Sequence, residues 1–124
     1  MGTERKILVM DPSGVIRQKI AEVARSMGHK ALLSVDGEDG YNKLSSDGHE
    51  VGLIFTEWFL PKTSGLDLLV KLKNSDHKDI PVVFVTNESS KMSVVKALKS
   101  GASDYIVKPF SIEQIKQKIQ HFIS

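Results

Sequence analysis

Five polar residues stand directly after short apolar runs. Asp11 follows 6–10, Thr56 and Glu57 follow 51–55, Thr86 follows 82–85, and Lys108 follows 105–107. Carboxylates, a hydroxyl and an ammonium are the groups that hold a phosphoryl group, and they are equally the parts of a salt bridge that resembles one. Coming from four separate stretches of chain, they act together only if a fold gathers the ends of those runs on one rim.

The runs have the length and flanks of strands. Lys6-Ile7-Leu8-Val9-Met10 closes with Asp11-Pro12-Ser13-Gly14, the pattern of a buried parallel strand entering a loop. The segments 31–35, 51–55, 82–85 (behind Pro81) and 105–107 repeat it. Between them lie stripes of helical period. Ile16, Ile20, Val23, Ala24 and Met27 share one face before Gly28, and a short, weakly apolar helix around Tyr41 and Leu44 follows Asp36-Gly37. Ser64 can cap a helix that buries Leu66, Leu69, Val70 and Leu72, and Val94, Val95 and Leu98 mark another ending at Gly101. Ser111 and Gln114 form a capping-box pattern ahead of Ile112, Ile115, Ile119 and Phe122. Five apolar strands alternating with helices predict a doubly wound α/β fold on a five-stranded parallel sheet, with helices over both faces. In that class reactive groups collect outside the carboxyl ends of the strands, where the strand order reverses, and there the five polar residues fall.

Composition narrows the function classes. A chain of 124 residues with 40% hydrophobic and 26% charged residues fits one domain with a full core, expected to span 1–124. Lys plus Arg number 17 against 15 acids, a net charge of +2, so no nucleic acid or membrane surface is called for as a partner. The absence of Cys excludes a disulfide framework, a thiolate metal site and a Cys nucleophile. No apolar run approaches a membrane span and the opening MGTERKILVMD carries no secretory segment, so a cytoplasmic location is expected.

At the loops after the strands the chain resembles the receiver domain of two-component response regulators, in particular the single-domain chemotaxis receivers, from about Lys6 to Phe122. The resemblance rests on Glu57-Trp58-Phe59-Leu60-Pro61 with Gly65-Leu66-Asp67-Leu68-Leu69, on Pro81-Val82-Val83-Phe84-Val85-Thr86, and on Gly101-Ala102-Ser103-Asp104-Tyr105-Ile106-Val107-Lys108-Pro109-Phe110. It implies a flavodoxin-like sheet of strand order 2-1-3-4-5. It also implies phosphorelay signalling, in which a sensor kinase supplies a phosphoryl group to an Asp ending the third strand, with Mg²⁺ held by acids after the first and third. Lys108 matches the lysine that contacts the phosphoryl group, Pro109 the proline after it on a cis bond, Thr86 the hydroxyl that moves to meet the phosphate, and Tyr105 the aromatic switch coupled to it.

Three positions depart from the family pattern. Glu57 stands where the phosphoacceptor Asp is expected, Pro12 stands where the second metal-binding acid is expected after Asp11, and Phe59 replaces a frequently polar residue. Mg²⁺ demands near-octahedral oxygen ligation, so a site left with Asp11 and Glu57 is expected to bind it weakly or not at all, and no cofactor is required. Glu57, one methylene longer than Asp, can reach Lys108 and Thr86 and mimic in part the phosphoryl group it replaces. The chain is thus expected to be an atypical receiver that works through protein contacts and is not an enzyme. The alternative is a conventional Mg²⁺-dependent phosphoacceptor with weak self-catalysed phosphotransfer and dephosphorylation, using position 57 or formerly carrying Asp there.

Plainer readings stand beside these. Asp11-Pro12-Ser13-Gly14 also reads as a turn or helix cap, Thr86 as a strand-end hydroxyl, Tyr105 as a half-buried aromatic, and Trp58 as loop packing. His29, His49, His77 and His121 lack metal-ligand spacing. Lys91, Lys96, Lys99, Lys116 and Lys118 form either a solvated surface or, on the face of the fourth helix, fifth strand and fifth helix, a site for an acidic protein segment. A sensor kinase or an output domain is the partner class the resemblance implies.

Overall fold

A computed structural model describes residues 5–123. The strands are β1 (Lys6–Met10), β2 (Lys30–Ser34), β3 (Val51–Thr56), β4 (Val82–Thr86) and β5 (Asp104–Val107), and they form one parallel sheet in the order β2-β1-β3-β4-β5. The helices are α1 (Gly14–Ser26), α2 (Gly37–Asp47), α3 (Gly65–Lys73), α4 (Lys91–Lys99) and α5 (Ile112–Ile123), with a single 3₁₀ turn at Gly48–Glu50.

Strand side chains alternate between two cores, as the pleat requires. Ile7, Val9, Leu53, Phe55, Val83, Val85 and Ile106 point to one face, where α1 and α5 bury Ile20, Val23, Ala24, Ile115, Ile119 and Ile123. Leu8, Met10, Ile54, Val82 and Phe84 point to the other, against Leu44 of α2, the leucines of α3 and Ala97 of α4. Every residue of β3 and β4 is buried, so these two interior strands are covered on both faces. Side-chain caps start the helices: Ser13 accepts from the Ile16 N–H, Asp36 from Asp39, Ser64 from Asp67 and Ser90 from Ser93. Ser111 and Gln114 bond reciprocally, the Ser111 N–H to Gln114 Oε1 at 2.8 Å and the Gln114 N–H to Ser111 Oγ at 3.1 Å, as the capping-box pattern predicts. Gly28 and Gly101, at φ +88° and +115°, follow α1 and α4 in backbone conformations that other residues avoid.

Several local expectations shift. β2 begins and ends one residue earlier than 31–35, because Met10 pairs with Ser34 and the next residues lead to the Asp36 cap, leaving Val35 exposed. β3, β4 and β5 each take in one more residue, Thr56, Thr86 and Asp104. α2 runs eleven residues, longer than its hydropathy predicts, since glycines make up much of the surface it buries beside Leu44. On α3, Leu68 is buried in place of the exposed Val70, because the helical period groups 68, 69 and 72. On α4, only Ala97 is buried, while Val95 and Leu98 are 39% and 45% exposed. That helix lies along β5, the edge of the sheet, and one narrow face suffices there. Ile112 at the start of α5 is likewise exposed.

Candidate functional site

The sheet order reverses between β1 and β3, and Asp11 and Glu57 continue those two strands. The Glu57 N–H donates to the Met10 carbonyl at 2.9 Å and the Asp11 N–H to the Ser34 carbonyl at 3.1 Å, so both backbones are held by ladder bonds. The Lys108 N–H donates to the Thr86 carbonyl at 2.9 Å and aligns the end of β5 with that of β4. Four predicted residues are thereby delivered to one rim by the sheet itself.

Lys108 lies at its centre. Its Nζ donates to Asp11 Oδ2 and to Glu57 Oε1, each at 2.8 Å, and the side chains of Lys108, Asp11 and Glu57 are 12%, 5% and 8% exposed. Burial alone pulls the Lys108 ammonium down, but its bonds to the Asp11 and Glu57 carboxylates outweigh burial and hold it above the ordinary lysine value. The second Glu57 oxygen, Oε2, accepts the Trp58 N–H at 2.6 Å, the Phe59 N–H at 3.1 Å and the Thr86 hydroxyl. Glu57 thus takes backbone donors, a hydroxyl and an ammonium on its two oxygens, a charge-assisted arrangement suited to an anion.

Thr86 connects this anion to Tyr105. Its Oγ1 also accepts the Glu88 N–H at 3.2 Å, and the Tyr105 hydroxyl donates to the Glu88 carbonyl at 2.5 Å. The Tyr105 ring stacks on Phe84, centroids 5.7 Å apart and planes 8° from parallel, and so lies turned toward the core. Burial pushes its phenol up to about 12, with the Glu88 and Glu57 carboxylates adding to the rise.

The loop after β3 is held from both sides. The Gly65 N–H donates to the Trp58 carbonyl at 2.8 Å, and a Cβ on Gly65 would stand 2.4 Å from the Glu57 carbonyl, so α3 approaches the site as only glycine permits. Lys62 Nζ lies 3.3 Å from Glu38 Oε1 on α2. Trp58 packs on Phe84, in keeping with its plainer reading.

Asp11 Oδ1 accepts the Ser13 N–H at 2.8 Å, as its reading as a turn residue expects, while Oδ2 faces Lys108. Thr56 does not join the rim: it is the last residue of β3 and its hydroxyl donates to the Glu57 carbonyl. Pro12 and Phe59 are exposed at the edge, and the Lys108–Pro109 peptide bond is cis. Sequence reasoning missed the two loop N–H groups on Glu57, the Glu88 carbonyl under Tyr105, and Arg17, whose Nη1 donates to the Asp11 carbonyl at 2.7 Å. Backbone groups leave no trace in residue identity, and Arg17 reads as an ordinary polar helix position. Among the described residues no three His, Cys, Asp or Glu side chains cluster as metal ligands. Each of the two rim carboxylates has an oxygen committed to Lys108.

Residues 7–120 match the model of the response regulator receiver domain family. The chain belongs to that family. It is 34% identical over 117 residues to chemotaxis protein CheY1 of Helicobacter pylori, covering 93% of this chain and 94% of that one, and 33% identical to a chemotaxis CheY homologue of Campylobacter jejuni, covering 93% and 89%. Among solved structures it is similar to a two-component response regulator from Clostridium difficile, with a TM-score of 0.88 and 28% identity, covering 96% and 95%. The receiver fold with order 2-1-3-4-5 is as expected, and the protein is a receiver of two-component signalling. Receivers are signalling modules that act through other proteins, such as kinases or output domains. Among the described residues no helix is long and apolar enough to cross a membrane.

Proposed function

We propose that this receiver signals through protein contacts with little or no phosphoryl chemistry, and that the Glu57 carboxylate keeps its switch in the arrangement a phosphoryl group would otherwise bring about. The observation that carries this reading is the donor set on Glu57: two loop N–H groups, the Thr86 hydroxyl and the Lys108 ammonium all converge on one carboxylate. An acceptor must present a free oxygen in line with an incoming phosphorus, and both oxygens of Glu57 are engaged. The mimicry is partial, because one carboxylate carries a single charge and two oxygens. Mg²⁺ binds weakly and is not required, Lys108 serving as the counter-charge of the rim. The module is cytoplasmic and not an enzyme.

Output runs through the face of α4, β5 and α5, to which Tyr105 belongs. Met92, Val95, Leu98, Val107 and Ile112 are exposed on these elements, and α4 carries Lys91, Lys96 and Lys99 without an acid. Of the basic residues on α5, Lys118 is paired with Asp104, so the α4 lysines and Lys116 dominate the charge there. A protein segment with acids around an apolar anchor complements this face, either from a sensor kinase or from an output domain.

Incubation with acetyl phosphate and Mg²⁺, read by intact mass, tests the proposal. No added phosphoryl group is expected. A gain of one phosphoryl group that vanishes in Glu57→Gln would refute it and make the protein a conventional phosphoacceptor.

A further inference from the structure

Lys108 is not the only cation at the rim. Arg17, on the first turns of α1, reaches back over the β1–α1 loop: Nη1 donates to the Asp11 carbonyl at 2.7 Å, and Nη2 lies 3.5 Å from the position a Cβ would take on Gly14. Among the described residues no carboxylate lies within salt-bridge distance of Arg17, so its charge is not spent on a private partner elsewhere. The planar fork is fixed against backbone beside the one acid that the loop supplies. Around the rim, the two buried carboxylates of Asp11 and Glu57 pair with Lys108 from the β5 side, and Arg17 on the α1 side brings a second positive charge onto the backbone carbonyl of Asp11.

We propose that Arg17 is a positioning residue and internal counter-ion of the rim, holding the Asp11 loop with Oδ2 on Lys108 and completing the charge balance, so that a divalent cation finds no net negative charge to bind. This rests on the reading of the rim given above, and it adds a cause distinct from the missing acid at position 12. The bond to the Asp11 carbonyl sets the loop, and the guanidinium supplies the second positive charge of the balance.

Mn²⁺ serves as the probe, read through paramagnetic broadening of backbone amide signals around Asp11, Trp58 and Lys108. The wild-type protein is expected to show broadening only at millimolar Mn²⁺. Arg17→Ala is expected to bind at least about tenfold more tightly, which is roughly 1.4 kcal/mol. Arg17→Gln, which keeps a donor for the Asp11 carbonyl and preserves more of the helix surface, is expected to tighten binding in the same direction, and Arg17→Lys to behave as wild type. Unchanged Mn²⁺ affinity in both the Ala and Gln variants would overturn the proposal, as would an equal gain in Arg17→Lys. Micromolar Mn²⁺ binding by the wild-type protein would instead refute the reading of the rim on which the proposal rests.

Discussion

Lys108→Met removes the rim's central charge while keeping an apolar stem of similar length. In the wild-type protein the ammonium lies 2.8 Å from an oxygen of each carboxylate, with all three side chains largely withdrawn from water. The gross attraction of one such pair, with charge centres about 4 Å apart in an effective dielectric near 20, is roughly 4 kcal/mol. Desolvation of the ammonium offsets much of that, but removing one partner of a buried pair leaves the others uncompensated, which costs about 3–5 kcal/mol. Here Glu57 retains three donors on Oε2 and Asp11 retains the Ser13 N–H, which places the expected loss at the lower end, about 3 kcal/mol at neutral pH. Urea unfolding followed by Trp58 fluorescence measures it. A variant within about 0.5 kcal/mol of wild type would show that Asp11 and Glu57 are not held together as a charge cluster.

Gly65→Ala should destabilise the fold by about 2 kcal/mol or more, since its Cβ would stand 2.4 Å from the Glu57 carbonyl, and thermal unfolding reads the change. Alkaline titration should cost stability. Tyr105 and Lys108 have raised folded-state values, so they contribute fully below about 10, and the contribution is lost as the pH rises through about 12 for Tyr105 and above the ordinary lysine value for Lys108. Tyrosinate absorbance should show one late phase, and Tyr105→Phe should abolish it. Pro12→Asp combined with Glu57→Asp should introduce Mg²⁺ binding, seen as a change in Trp58 fluorescence. A silent double variant would mean that the surrounding loop, held by Gly65 and Lys62, cannot present the ligands.

The sheet was legible because buried parallel strands leave continuous apolar runs, and the rim was legible because polar residues end those runs. Glu57, Thr86 and Lys108 meet as their positions implied. The errors cluster where burial is partial. Val95, Leu98 and Ile112 have the helical spacing of a core stripe but lie beside an edge strand, where a narrow contact leaves the rest of the stripe in water. Hydropathy cannot separate an inward leucine from an outward valine when both neighbours in the period are apolar, as with Leu68 and Val70 on α3. Thr56 stays out of the rim because β3 ends one residue later than its apolar run, and the Thr56 hydroxyl donates to the Glu57 carbonyl instead. The donors that define Glu57 are backbone N–H groups, which any sequence supplies and only a loop conformation aims.

The most direct test of the central claim is the amide and side-chain chemical shifts of Thr86 and Tyr105 in the wild-type protein and in Glu57→Gln. An amide has one acceptor oxygen where the carboxylate has two, so the substituted side chain cannot serve both Lys108 and the Trp58, Phe59 and Thr86 donors. The substitution is predicted to shift Thr86, then Tyr105 and Glu88, and to reach the exposed residues of α4. Shifts confined to residues 56–59 and 108 would contradict the claim, leaving a charge cluster uncoupled from the α4, β5, α5 face and a receiver that serves as a static docking module.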